Sequence, residues 1–327
     1  MADRVELAFR RAAMRLIPEG SSVLAAVSGG CDSVALLHLL VGHARGGRLR
    51  ITVAHLDHAL RRGSVADRRF VERLAAGLKL ECVSDRRPVA RLRRRDESPE
   101  EASRRVRRAF LIETSRRTGA DRIATGHHLD DQAETILMRL ARGAGPSALT
   151  GMAESGPGPF VRPLLDIERR ELRDYLDRRG LSFREDPTNR DLRFDRNRVR
   201  SLVVPALAEA MNPRAARRLV DSVGRLREDA AYLDDLAGAL YRGARRRLSG
   251  GKLQIPVRTL ADSPAPLARR IARLALADAG SDPRRIAARH VAAVLRLVDG
   301  PSGKSVDLPR RLRATRKPRS IHFEPSD

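Results

Sequence analysis

Val23-Leu24-Ala25-Ala26-Val27-Ser28-Gly29-Gly30-Cys31-Asp32-Ser33, running into Val34-Ala35-Leu36-Leu37-His38-Leu39-Leu40, is the stretch that decides the fold. Its first residues form a short apolar run, as a parallel strand buried on both faces should. Its last residues carry a helical apolar face. The tight turn between them holds two glycines, an acid and two hydroxyls. A strand–turn–helix unit of this kind aims backbone N–H groups and a helix N-terminus at one spot, which suits a phosphate. It is not a Walker A loop, because the turn is too short and has no lysine, and Gly-x-Gly-x-x-Gly is missing too. The later Gly300-Pro301-Ser302-Gly303-Lys304-Ser305 imitates Walker A, but the first glycine would have to stand at Val298.

Outward from that unit, residues 5–16 read as an amphipathic helix and Ile51-Thr52-Val53-Ala54-His55 as the next strand, ending in titratable groups. A helix over about 64–78 should cross back to a strand near 81–84, and this alternation predicts a parallel sheet. Ser98-Pro99-Glu100-Glu101 has a capping residue, a first-turn proline and a capping-box glutamate, so a helix should run from there to about Arg117 and stop at Gly119. Arg104, Arg107 and Arg108 lie on its adjoining faces. Asp121–Thr125 is a strand, and a helix is expected from Gln132 to Arg142. Asp131 and Glu134, three apart, share one face at its start. First-turn acids commonly serve as caps, and a metal cluster of His127, His128, Asp130 and Asp131 lacks the His-Glu-x-x-His spacing. Arg162-Pro163-Leu164-Leu165 should close a short strand, a helix should fill 168–179, and Arg184–Asn189 reads as turns. The set Arg196-Asn197-Arg198-Val199-Arg200 reads either as a self-clamped loop or as a channel lining.

Beyond about residue 205 the pattern changes. A long helix from Asn212-Pro213 to about 248 should break at Gly250-Gly251. Helices near 265–279 and 284–298 follow, with strands near 304–308, 311–315 and 319–323. The expected fold class is therefore α/β, a parallel-sheet domain over 1–205 followed by a small, mainly helical α+β domain over 206–327.

The chain of 327 residues carries a formal net charge of +24, which points to a polyanion such as nucleic acid. Aromatic residues are 3% and tryptophan is absent, so phosphate contact rather than extended base stacking should dominate. No apolar run approaches the ~18 residues of a membrane span and no signal peptide opens the chain. Cys31 and Cys82 form no Cys-x-x-Cys pair. These features predict a cytoplasmic protein without disulfides or a membrane partner.

Ser28-Gly29-Gly30-Cys31-Asp32-Ser33 resembles the PP-loop of the N-type ATP pyrophosphatases, an adenine nucleotide alpha hydrolase-like fold. Further blocks are similar to the tRNA(Ile)-lysidine synthetases within that group. They are His55-x-Asp57-His58-x-Leu60-Arg61, Glu100-x-Ala102-x-Arg104-x-x-Arg107, and Thr125-Gly126-His127-His128-x-Asp130-Asp131-Gln132-x-Glu134-Thr135. Arg139-x-x-Arg142-Gly143, Arg162-Pro163-Leu164, Asp186-x-Thr188-Asn189 and Arg196-Asn197-Arg198-x-Arg200 continue the set. The likeness spans about 205 residues and extends more loosely over Gly303–Pro309. Two departures stand out: Arg108 occupies a place where the family often has tyrosine, and with an end at Asp327 the acceptor-stem domain of longer members is not expected.

The resemblance implies a two-step reaction with ATP and Mg²⁺. ATP adenylates O2 of the wobble cytidine in an isoleucine tRNA with a CAU anticodon, and the ε-amine of free L-lysine then displaces AMP at C2. Ser28, Gly29, Gly30, Cys31, Asp32 and Ser33 would hold the nucleotide, with Asp32 on the metal and Arg107 and His127 on phosphate. Asp131 and Glu134 would take lysine. Arg104, Arg196, Arg198 and Arg200 would meet tRNA or phosphate. Lysine's reference pKa of about 10.4 requires either desolvation or a base such as Asp57 or His55. A homodimer is left open. The rivals are a tRNA 2-thiolation enzyme, which needs reactive cysteines, an amidotransferase-type synthetase, for which no glutaminase domain is present, and a non-catalytic tRNA-binding module.

Overall fold

The computed structural model describes residues 3–44, 47, 49–59, 63–95, 97–145, 149–186, 191–249, 252–282, 286–309 and 311–326. Leu60, Arg61, Pro187, Thr188, Asn189, Gly250 and Gly251, which figure in the motifs and breaks above, lie outside the described residues. The chain divides into two units, residues 1–224 and 225–327.

In the first unit, helix α1 (Arg4–Leu16) precedes β1 (Ser22–Ala26), α2 (Cys31–His43), β2 (Arg50–Asp57), α3 (Ser64–Gly77) and β3 (Glu81–Arg86). A short helix α4 (Val89–Leu92) leads to α5 (Pro99–Thr118), β4 (Arg122–Ala124), α6 (Leu129–Ala141), β5 (Phe160–Val161) and α7 (Arg169–Arg178). The five strands are ordered β3-β2-β1-β4-β5, and every pair is parallel. Val23 and Ala25 face one apolar core with α1, α2 and α7, while Leu24 faces another with Phe110 and Leu111 of α5. This two-sided burial is why β1 reads as an unbroken apolar run. The strand order reverses between β1 and β4, the point outside the strand ends where open α/β sheets bind ligands.

Helix boundaries follow local chemistry. Ser98 Oγ accepts from the Glu101 N–H at 3.2 Å while Glu101 Oε2 accepts from the Ser98 N–H at 2.9 Å, and Gly119 ends α5 at φ +66°. α6 starts at Leu129, not at Gln132 as expected. Asp131 Oδ2 accepts the His128 N–H at 3.1 Å, so the capping interaction sets the start three residues earlier and places Asp130 and Asp131 in the first turn. The short strand expected to close at Leu165 ends at Val161. Pro163 has no N–H to give a ladder, and Leu164 makes only an isolated bridge with His128.

After α7, residues Asp195–Arg198 form α8, Val199–Val203 widen into a π-helical turn and Val204–Ala210 form α9. The long helix α10 spans Ala215–Ala244. In the second unit, β6 (Arg246–Arg247), β7 (Leu253–Pro256), β8 (Ser305–Leu308), β9 (Leu312–Arg316) and β10 (Ser320–Pro325) form an antiparallel sheet ordered β6-β7-β10-β9-β8. The helices α11 (Val257–Ala261), α12 (Ala265–Asp278) and α13 (Ala288–Leu295) complete it. Ile271, Ala275 and Val294 pack with Ile255, Ala314, Ile321 and Phe323 in its core. β6, β7 and α11 had no counterpart in the sequence reading. No helix among the described residues is long and apolar enough to cross a membrane.

Candidate active site

The loop after β1 is organised by one hydroxyl. Ser33 Oγ accepts from the N–H groups of Ser28 (3.1 Å) and Gly29 (3.2 Å) and donates to the Gly30 carbonyl at 2.9 Å. Gly29 stands at φ +93°, which suits glycine alone, and a Cβ there would meet Phe70 and Val71 at 3.4 Å. Gly30 caps α2 without a side chain, which leaves the Cys31 and Asp32 N–H groups at the helix mouth for an anion. The Ser28 and Gly29 amides, expected to face phosphate, are held by Ser33 in this structure.

The second loop, after β4, closes directly onto the first. A Cβ on Gly126 would lie 3.0 Å from the Asp32 carbonyl oxygen and 3.2 Å from the Ser33 nitrogen, so glycine is required by close approach. That approach brings His128 to Asp32. His128 Nε2 lies 3.5 Å from Asp32 Oδ2 and 3.5 Å from Asp131 Oδ2, and its Nδ1 lies 3.5 Å from Asp130 Oδ2. The ring is 1% exposed. Burial opposes its charge, but Asp131, Asp130 and Asp32 outweigh burial and raise it to about 10, so it is an imidazolium at neutral pH. Asp131, despite burial, is held well below the usual carboxylate range by His128 and Arg196. The sequence reading treated His128 only as a rejected metal ligand. The available signal was its place just before Asp130 and Asp131 in one block; the third acid, Asp32, comes from the loop after β1.

Asp131 and Glu134 do share one helical face, and both are occupied. Arg196 donates to Glu134 Oε2 (2.6 Å) and Asp131 Oδ1 (2.9 Å). Arg200 donates to Glu134 Oε1 (2.5 Å) and Asp131 Oδ1 (3.1 Å). Four residues apart, the two arginines reach the same pair of carboxylates from the segment Asp195–Val203. Arg198, on the other side, pairs with Asp195 and the Leu192 carbonyl.

His127 bonds Thr125 Oγ1 through Nδ1 at 2.9 Å. Burial first, then the charges of Arg107, Arg162 and Arg196, push it down to about 3, so it is neutral. His58 is pushed down to about 4 by burial and the Arg107 charge. The Arg107 charge acts on His58, His127 and Asp131 together, while the residue itself is exposed on α5. Arg104 pairs with Glu100 at 3.3 Å on the exposed side of α5. Arg108 lies 4.4 Å over the Phe160 ring and donates to the Pro157 carbonyl, a packing role that accounts for an arginine there.

Asp57 is 2% exposed; its Oδ1 accepts from the Ala59 N–H at 2.7 Å, and Arg86 lies 3.5 Å from Oδ2. His55 shares a hydrogen bond with the Val27 carbonyl through Nδ1, its buried Nε2 has no hydrogen-bond partner among the described residues, and burial lowers its pKa. The structure thus gives His55 a bare ring nitrogen and gives Asp57 a turn to hold.

Among the described residues no three His, Cys, Asp or Glu side chains are grouped to hold a metal. Asp32 Oδ1 is nevertheless buried without a hydrogen-bond partner among the described residues, with Arg169 Nε 3.8 Å away. One carboxylate of this kind fits Mg²⁺, which usually takes one or two from protein and the rest from phosphate and water. Burial, followed by the Asp32 charge, pushes the Cys31 thiol up to about 12, and burial raises Cys82.

Residues 4–207 match the model of the PP-loop domain family. The chain is 44% identical to the tRNA(Ile)-lysidine synthase of Geobacter sulfurreducens over 310 residues, covering 93% of this chain and 65% of that protein. The tRNA(Ile)-lysidine synthase of Chlorobaculum tepidum is 39% identical over 74% of this chain and 73% of its own length. The chain belongs to the tRNA(Ile)-lysidine synthases of the PP-loop family. The Thermus thermophilus member is 40% identical over 97% of this chain but only 59% of that protein. The chain thus spans less than two thirds of the length of several of these relatives. Among solved structures, the U34-tRNA thiolase NcsA of Methanococcus maripaludis superposes with a TM-score of 0.58 at 16% identity, covering 68% of this chain and 78% of that one. At that identity the likeness is one of fold.

Proposed function

We propose that the chain uses ATP to join free L-lysine to C2 of the wobble cytidine in an isoleucine tRNA with a CAU anticodon. The observation that carries this reading is the buried His128 ring, whose Nε2 lies 3.5 Å from both Asp32 and Asp131. This proximity supports a reading in which Asp32 serves the nucleotide and Asp131 with Glu134 serves the amine, beside the strand-order reversal of a PP-loop chain whose relatives bear that name.

In the first step cytidine O2 attacks the α-phosphorus of ATP and diphosphate leaves. The Cys31 and Asp32 N–H groups and the Arg107 guanidinium oppose the charge that builds on the leaving group. Mg²⁺, when bound, would take Asp32 and phosphate oxygens and add Lewis-acid screening there. In the second step the lysine Nε attacks C2, the C2–O2 bond breaks and AMP departs with O2.

Lysine's cationic groups suit Asp131 and Glu134, but those acids already hold two guanidiniums. An incoming ammonium must share or displace them. The same crowding eases the deprotonation problem. Arg196, Arg200 and His128 partly offset the charge of Asp131 and Glu134, which lessens the preference of those acids for an ammonium over the neutral, nucleophilic amine. His55 Nε2 is a neutral acceptor for the released proton.

Incubation with ATP, labelled lysine and CAU-anticodon tRNA should give label in RNA with stoichiometric AMP. Label absent from RNA while AMP still forms would refute the acceptor assignment. A 2-thiolation reaction is disfavoured by the thiols themselves, since thiolate is the nucleophile and both cysteines are shifted away from it. The mass of the modified nucleoside separates the two.

A further inference from the structure

We infer that the outer face of α3 is an RNA-backbone docking groove, adjoining the nucleotide loop but separate from the catalytic acids. Two contiguous cavities lie there. One of about 410 Å³ is lined by Val65, Ala66, Arg69, Phe70, Arg73 and Arg184. The other, of about 340 Å³, shares Phe70 and Arg73 and continues along Leu74 and Gly180–Ser182. Volumes of ~300–1,000 Å³ are the size that holds small-molecule ligands, enough for a nucleotide unit of a passing strand.

The charge in the groove is one-sided. Among the described residues no carboxylate lines either cavity. Arg69 and Arg73 are exposed, one turn apart on α3, and have no ion pair among the described residues. Their neighbours do: Arg68 pairs with Glu72, and Arg184 pairs with Asp67 at 3.1 Å. Two guanidiniums left unpaired on one side of a helix are forked donors for phosphodiester oxygens. The half-buried Phe70 ring between them offers an apolar face to ribose or base.

The groove is tied to the nucleotide loop. The Arg184 N–H donates to the Gly29 carbonyl at 2.8 Å, and Phe70 Cδ1 lies 3.4 Å from where a Gly29 Cβ would be. A strand lying on Arg69 and Arg73 would therefore run past the loop that faces ATP. This extends the proposed function by giving its RNA substrate a path, and rests on that reading only for the identity of the RNA.

The test is binding of unfractionated tRNA, without ATP or lysine, to the full chain and to Arg69→Ala/Arg73→Ala and Arg69→Lys/Arg73→Lys. The double alanine variant should bind at least tenfold more weakly, with the slope of log Kd against log salt reduced by about 2. The double lysine variant should keep the slope. ATP affinity should be unchanged in both. Unchanged RNA affinity and slope in the alanine variant, at wild-type Tm, would overturn the assignment. So would a loss of ATP affinity matching the loss for RNA, since that would give the arginines to the triphosphate. Lysine ligation failing while these binding changes appear would count against the proposed reaction and not against the groove.

Discussion

Gly126→Ala isolates the contact on which the site depends. The added methyl would stand 3.0 Å from the Asp32 carbonyl oxygen, 3.1 Å from its carbon and 3.2 Å from the Ser33 nitrogen. All three are backbone atoms in the first turn of α2, so no side chain can swing aside. Gly126 is not among the glycines with positive φ, so alanine meets no backbone strain of its own. Overpacking of this kind costs about 1–3 kcal/mol. The stiffer unfolded chain returns about 0.4–1 kcal/mol, leaving a net loss of about 1–2 kcal/mol. For a unit of residues 1–224 that is about 2–8 °C in Tm. Relief requires the loop carrying His127 and His128 to retreat from α2 by a few tenths of an ångström. Since a 1 Å misplacement costs about 10²-fold in rate, ATP–PPi exchange should slow about three- to tenfold. Binding of tRNA should not change. Thermal denaturation and exchange assays on one preparation measure both effects. A variant with wild-type Tm and wild-type exchange would refute the claim that the two loops are in hard contact.

Three other outcomes are expected. Ser33→Ala removes the acceptor for two loop N–H groups and should cost about 1–3 kcal/mol, with ATP Kd at least tenfold higher; an unchanged Kd by calorimetry would show that Ser33 does not shape the loop. Asp131→Asn and Glu134→Gln should each raise the lysine KM at least tenfold while ATP–PPi exchange changes little, and an unmoved KM removes that residue from the lysine site. His127 and His58 sit at about 3 and about 4, below their ordinary 6.5, so the unfolded chain binds more protons as pH falls. Their contribution is complete above pH 6.5 and is lost on acidification towards pH 4; Tm of His58→Gln/His127→Gln should fall less over that window than wild type, and parallel curves would contradict the burial of neutral rings.

Parallel alternation, the loop after β1 and the α5 capping box were legible because each depends on neighbours in sequence. So was the shared face of Asp131 and Glu134, since helical spacing alone sets it. The start of α6 was misread because Asp131 serves the His128 N–H, a choice between capping and exposure that spacing cannot rank. β6 and β7 escaped notice because short strands in the second unit carry arginines and glutamine between few apolar residues.

The sequence by itself determined that a glycine turn would join a buried strand to a helix and that acids would stand together at the start of another helix, because hydrogen-bond geometry and periodicity act over a few residues. Only the tertiary structure decided which groups those acids hold. Arg196 and Arg200 reach Asp131 and Glu134 from more than 60 positions away, and His128 meets Asp32 because the strand order places β4 beside β1. Charges brought together by chain crossover are governed by burial and distance, and neither is written in local sequence.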